Sequence, residues 1–201
     1  MIKIVDYGMG NVGSLINMLK YIGHNASIEN DPKKIKKASK LILPGVGSFD
    51  AAMKCIHRDG LFNELNELAQ VKKIPILGVC LGMQLMTEES EEGELEGFGW
   101  IPAKTKRLPK DKNLKVPHMG WNTVMPLVKN KLLKGVTGAS RFYFVHSFAV
   151  HVKVKKYSLM KTNYGIEFDS AVSNGNIFGV QFHPEKSHSF GMKILKNFAE
   201  L

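Results

Sequence analysis

The chain is poor in cysteine, in arginine and in long apolar runs, and each shortage excludes something. Two cysteines, Cys55 and Cys80, among 201 residues are too few for a disulfide framework, so a reducing, cytoplasmic setting is expected. No apolar run is long enough to span a bilayer. The chain opens MIKIVDYG, straight into a strand, with no basic and apolar leader ahead of it. No membrane partner is therefore expected. The formal net charge of +10 raises nucleic acid as a partner, yet only Arg58, Arg107 and Arg141 among 28 basic side chains are arginine. The lysines gather in DPKKIKKASK (31–40), AKTKRLPKDKNLK (103–115), VKNKLLK (128–134) and HVKVKK (151–156), with no interleaved aromatics. Base and bidentate phosphate readers favour arginine, and single strands need stacking platforms. The lysines read instead as solvated faces that steer anions, and no nucleic-acid partner is expected. No internal repeat, low-complexity tract or flexible linker interrupts the chain, which predicts one domain over 1–201.

What is present is an alternation of short apolar strands and amphipathic helices. IKIVDY (2–7), ASIE (26–29), KLILPG (40–45) and IPILGV (74–79) read as strands, separated by helical patterns at 14–23, 31–38 and 49–70, the last broken near Gly60. That order predicts an open α/β fold with a mainly parallel sheet and helices on both faces. From about residue 99 the pattern changes to strand-like blocks: WIPAKTKRL, KVPHMGWNTVM, RFYFVHSFAV, YSLMKTN, EFDSAVSN and IFGVQF. They predict an added antiparallel layer in the C-terminal half, with SNGN (173–176) as a hairpin turn and SFGMKILKNFAEL (189–201) as a closing helix.

LGVCLGMQLM (77–86) places Cys80 between a buried strand and a helical apolar face. Small residues on both sides let a tight turn push a nucleophile clear of the sheet, and a helix N-terminus favours the reactive thiolate. A free cysteine is also among the most often buried residues, so Cys80 needs a base. IFGVQFHPEKS (177–187) supplies one: His183 follows a strand end, where open α/β sheets place their ligands. Glu185, two residues on, lies on the same side of an extended segment and can hold one imidazole nitrogen. Cys80, His183 and Glu185 thus read as nucleophile, base and orienter.

Two other signals compete. His183 and His188 hint at a metal site, but no second ligand pair stands at suitable spacing, so no metal is expected. GMGNVG (8–13) matches G-x-G-x-x-G after a strand, with Glu29 at the spacing of a ribose-binding acid. Against a dinucleotide, Asp6 occupies a position where that fingerprint wants an apolar residue. A second glycine loop, LPGVGSF (43–49), ends the third strand. Its backbone N–H groups, with that of Leu81, can point at a developing oxyanion, and the glycines flanking Val46 permit two peptide orientations.

PGVGSF, GVCLGMQLM, ESEEG, PHMGWN, FYFVHS and GVQFHPEKS together resemble the class I, triad-type glutamine amidotransferases over essentially the whole chain. PHMGW narrows the resemblance to the glutaminase subunits of imidazole glycerol phosphate synthases. The resemblance implies a flavodoxin-like fold and hydrolysis of L-glutamine to L-glutamate and ammonia through a Cys80 thioester, with no cofactor. It implies Val46, Gly47 and Leu81 as the oxyanion hole, and Gly47, Gln84, Glu92 and Ser147 as glutamine-binding residues. It also implies a heterodimer with a cyclase subunit of (β/α)₈-barrel type in histidine biosynthesis, docked on Asn11, His118, Met119, Trp121 and Lys186. The lysine-rich stretch 103–115 and the tail SHSFGMKILKNF are similar to paralogous subunits that aminate surface sugars, which keeps a second acceptor open. A non-catalytic dinucleotide-binding module is the third reading.

Overall fold

A computed structural model describes residues 1–109 and 114–201; the middle of the lysine-rich stretch 103–115 lies outside the described residues. In chain order the elements are β1 (Ile2–Val5), α1 (Val12–Tyr21), β2 (Ala26–Glu29), α2 (Pro32–Ile35), β3 (Lys40–Leu43), α3 (Phe49–Arg58) and α4 (Leu61–Asn66). They continue with β4 (Ile76–Val79), α5 (Leu81–Leu85), β5 (Glu89–Ser90), β6 (Ala103–Arg107), β7 (His118–Thr123), β8 (Met125–Pro126) and β9 (Arg141–His146). The last are β10 (Phe148–Val152), β11 (Ser158–Tyr164), β12 (Ile166–Asn174), β13 (Ile177–Val180) and α6 (His188–Ala199). Among the described residues no helix is long and apolar enough to cross a membrane.

The main sheet runs β2-β1-β3-β4-β13-β12-β10-β6-β5, with β11 on β12 and β8 on β11. β2, β1, β3, β4 and β13 are mutually parallel. β12, β10 and β6 then continue antiparallel. Strands buried on both faces read as continuous apolar runs, and β1, β4 and β13 are buried at every position. One apolar layer, with Leu43, Phe49, Met53 and Leu65, covers one face; another, with Leu15, Leu19, Phe182 and Phe198, covers the opposite face. The expected α/β alternation and antiparallel extension are thus both present.

One expected break and one departure have physical causes. The 49–70 helix ends at Arg58 and restarts at Leu61 because Gly60 adopts φ 68°, and it closes in a π-helical turn, Glu67–Val71. RFYFVHSFAV, which reads as one block, is two strands. β9 pairs with β7 in a separate two-stranded sheet, while β10 enters the main sheet beside β6 and β12. The chain changes sheets at Ser147, and that crossing forms one wall of the cleft described next.

Candidate active site

β4 hands the chain to α5 through Cys80, whose backbone stands at φ 53°, ψ −111°. Such a conformation costs a non-glycine residue about 1–3 kcal/mol and persists only where its surroundings impose it. Here the Cys80 N–H donates to the Val180 carbonyl at 2.8 Å, while its own carbonyl accepts from Met83 N–H at 3.0 Å. The turn is also sterically closed. A Cβ on Gly82 would sit 1.8 Å from the Leu43 carbonyl oxygen, and one on Gly78 would sit 2.7 Å from that of Gly82. The glycines around Cys80 are therefore required by packing, as expected of a nucleophile elbow.

β13 ends at Val180, and three residues later His183 lies buried beside the elbow. Pro184 opens a 3₁₀ turn, Pro184–Lys186, that folds Glu185 back. The Glu185 carboxylate meets His183 Nδ1 at 2.8 Å, both side chains being 2% exposed. Nδ1 is thereby the protonated nitrogen, and Nε2 is buried without a partner at ordinary hydrogen-bond geometry. Burial alone would depress this imidazole, but interaction with the Cys80 thiol and with Glu185 outweighs it and pushes its pKa up to about 10. An unpartnered Nε2 next to a thiol, backed by a carboxylate, is a base poised for proton transfer.

A cleft of about 290 Å³ opens over Cys80, lined among others by Val46, Gly47, Leu81, Gln84, Glu92 and Ser147. Each residue expected to form an oxyanion hole or bind glutamine is in that lining. Gly47 adopts φ 106°, a conformation other residues rarely hold. Among the described residues the Gly47 and Leu81 N–H groups donate to no protein acceptor. They remain available to an oxygen bound beside the sulfur. Glu92 accepts the Phe49 N–H at the start of α3 at 2.9 Å; burial outweighs that bond and raises its pKa. Pro117, Val145, His146 and Phe148 also line the cleft and were missed from sequence. The signal for Val145 and His146 was present, since both stand in the FYFVHS block that ends at Ser147.

The residues expected at a partner face divide. Met119 and Trp121 are 62% and 45% exposed, and Asn11 and Lys186 are exposed as well. Trp121 stacks on His188 at 5.5 Å and Lys186 Nζ lies 5.7 Å from the Tyr143 ring centre. Asn11 caps α1, which packs against the Pro184–Lys186 turn. His118 is a correction: it is 2% exposed, faces inward from β7, and bonds His146 Nε2 through Nδ1 at 2.9 Å. Alternation along β7 puts Met119 and Trp121 on one side and His118 and Asn122 on the other.

The dinucleotide signal does not fit this geometry. The fingerprint's third glycine serves close helix–strand packing, yet a Cβ on Gly13 would meet nothing within 4 Å. Asp6 turns back on its own loop to accept the Gly8 N–H at 3.0 Å, and Glu29 pairs with Lys3 at 3.5 Å. His188, the other residue weighed for a metal, stacks on Trp121.

A cysteine on a strained elbow, a carboxylate-backed histidine and free amides over one cleft are the parts that acyl transfer through a cysteine nucleophile needs. The family model for glutamine amidotransferase class-I matches residues 3–201. The chain is 57% identical over 198 residues, 98% of each chain, to imidazole glycerol phosphate synthase subunit HisH 2 of Methanococcus maripaludis. It is 48% identical over the full length of both chains to subunit HisH 2 of Pseudomonas aeruginosa. Subunit HisH of Bdellovibrio bacteriovorus is 46% identical, again over both full lengths. Among solved structures, a glutamine amidotransferase superposes with TM-score 0.78 at 16% identity, covering 100% of this chain and 99% of the other, a likeness of fold. The chain belongs to the class I glutamine amidotransferases and, within them, to the HisH subunits of imidazole glycerol phosphate synthase.

Proposed function

We propose that this chain is a cytoplasmic glutaminase subunit that hydrolyses L-glutamine and passes ammonia to a docked synthase subunit. The observation that carries this reading is the Cys80 elbow facing the Glu185-backed imidazole of His183. The Cys80 sulfur attacks the side-chain amide carbon of glutamine, and its proton resides on His183 Nε2. The carbonyl oxygen becomes an oxyanion against the N–H groups of Leu81 and the Val46–Gly47 loop. As the C–N bond breaks, the imidazolium delivers its proton to the departing nitrogen and ammonia leaves. Water then attacks the thioester while His183 takes its proton. The C–S bond breaks, glutamate departs and the sulfur recovers the proton. Glu185 keeps the tautomer correct and stabilises the imidazolium throughout. Gln84, Glu92 and Ser147 hold the glutamine head group, with no cofactor and no metal.

Ammonia released into water is mostly protonated and non-nucleophilic, so a docked acceptor enzyme is chemically required. Asn11, Met119, Trp121 and Lys186 form its docking face, and the partner is a cyclase of (β/α)₈-barrel type completing a heterodimer. Its products are imidazole glycerol phosphate and aminoimidazole carboxamide ribotide, in L-histidine biosynthesis. One observation favours a second acceptor: two of the relatives are numbered as HisH 2. In that reading the same chemistry feeds a paralogous synthase that aminates a surface-polysaccharide sugar. Glutamate release by the chain alone, with its co-purified synthase, and with synthase plus acceptor analogue tests the proposal. Slow release alone and fast release in the loaded complex is expected. Loss of one oxyanion donor costs about 2.7–4 kcal/mol, so a Val46 peptide turned away would hold the free subunit down by about a hundredfold or more. Absence of release in all three settings contradicts the glutaminase reading.

A further inference from the structure

Gln181 has no part in the chemistry above, yet it is fully buried against the nucleophile. A buried polar side chain there is expensive unless its hydrogen bonds are satisfied. Its orientation follows from a chain of forced assignments that begins and ends on backbone carbonyls, which can only accept. The Phe148 carbonyl lies 3.0 Å from Gln84 Nε2 and 2.8 Å from His146 Nδ1, so both present N–H groups to it. The second Gln84 N–H points to Gln181 Oε1 at 3.2 Å. Gln181 therefore turns its own Nε2 toward Cys80 Sγ, 3.8 Å away. On the far side, His146 Nε2 must accept from His118 Nδ1 at 2.9 Å, and His118 Nε2 from Asn122 Nδ2 at 3.2 Å. Asn122 Nδ2 also donates to the Asn163 carbonyl at 3.0 Å, which fixes that end.

Besides the His183 imidazole, the sulfur thus meets one acceptor and one donor at equal distance. The Val145 carbonyl, 3.8 Å from Sγ, suits the protonated thiol, whereas the Gln181 N–H bonds a thiolate more strongly than a neutral thiol sulfur, which is a weak acceptor. We propose that Gln181 is a catalytic residue of this glutaminase: its side-chain N–H holds the Cys80 sulfur in the thiolate form, aimed there by Gln84 and the Phe148 carbonyl. This inference rests on the glutaminase reading. It gives the donor two moments of action, the attacking thiolate of the first step and the sulfur expelled from the thioester in the second. Hydrogen bonds to a charged group are the stronger kind, and this one lies where the charge returns twice.

The test is the pH dependence of Cys80 alkylation by iodoacetamide, followed by intact mass on the full chain in a Cys55→Ser background. Gln181→Leu removes the donor; Gln181→Glu keeps size and the bond from Gln84 but sets a carboxylate oxygen beside the sulfur. The alkylation midpoint is expected to rise by about one pH unit in Gln181→Leu and further in Gln181→Glu. With the synthase present, kcat for glutamine falls while KM changes little. In the unsubstituted protein the Gln181 side-chain amide resonance titrates with the same midpoint as alkylation, a readout independent of how the variants fold. Unchanged midpoints, or an amide resonance indifferent to Cys80 titration, overturn the role of Gln181 while glutamine turnover persists. A parent protein that releases no glutamate overturns the glutaminase reading itself.

Discussion

The parallel half of the main sheet and the antiparallel strands β7, β9 and β10 both end at the cleft, and they hold their contributions by different means. β3 and β4 present the Val46–Gly47 loop and Cys80 through main-chain packing: Gly45, Gly78 and Gly82 all lack room for a Cβ. Even the hydroxyl of Tyr7, buried behind the loop, bonds a backbone oxygen, that of Pro44, at 2.6 Å. β7, β9 and β10 instead work through side chains, the hydrogen-bonded series from Asn122 to His118, His146 and the Phe148 carbonyl. Burial depresses His118 to about 4 and His146 to about 3, so both stay neutral near pH 7. The backbone-held side is thus sensitive to a single added methyl, and the side-chain-held side to protons.

The largest expected effect lies on the backbone-held side. Cys80→Ser should reduce glutamate release by about a thousandfold or more, with an unchanged denaturation midpoint, because a hydroxyl is a far weaker nucleophile than a thiolate. Cys55→Ser should retain turnover. Activity that survives the first change and not the second would move the chemistry to the other cysteine.

Next comes one substitution made at two glycines. Gly82→Ala drives a methyl into the Leu43 carbonyl and should destabilise the fold by about 3 kcal/mol or more in urea unfolding. Gly13→Ala, in open space at the start of α1, should leave stability unchanged or raise it by about 0.5–1 kcal/mol. Equal effects at the two sites would mean that steric closure does not set the elbow. Because Gly13 is not a packing glycine, neither protein should bind NAD or NADP in calorimetry.

Smaller effects come from pH, with opposite signs in the two regions. His183 is raised from 6.5 to about 10, so its stabilising contribution is full below pH 6.5 and lost as pH rises through 10. His118 and His146 are lowered, so theirs is full above pH 6.5 and lost as pH falls toward 4 and 3. Denaturation at pH 5, 7 and 9.5 should therefore show losses at both ends. Glu185→Gln should lessen the alkaline loss and His118→Phe the acid loss. If each substitution changes the opposite limb, the assignment of the two limbs is wrong.

The backbone-held side was the more legible in sequence. Strand ends, glycines and the Cys80 and His183–Pro184–Glu185 segments are local signals, and each mapped to the residues that line or flank the cleft. The side-chain-held side depends on pairings far apart in the chain. RFYFVHSFAV carries no mark of where it leaves one sheet for another, because Phe142, Phe144, Phe148 and Val150 are buried alike in both. The family resemblance groups His118 with Met119 and Trp121, although period-two alternation along β7 sets it on the opposite side. Gln181 was invisible as a donor, since its direction follows from Gln84 and the Phe148 carbonyl, 97 and 33 residues away.

The assignment of Cys80 as the glutamine-attacking nucleophile is tested most directly by mapping the adduct of a diazoketone analogue of glutamine. The chain with its synthase is treated with the analogue, digested and sequenced by mass spectrometry. One adduct on Cys80, suppressed by excess L-glutamine and absent from Cys80→Ser, is the expected result. An adduct on Cys55, or labelling of Cys80 that glutamine does not suppress, would contradict it.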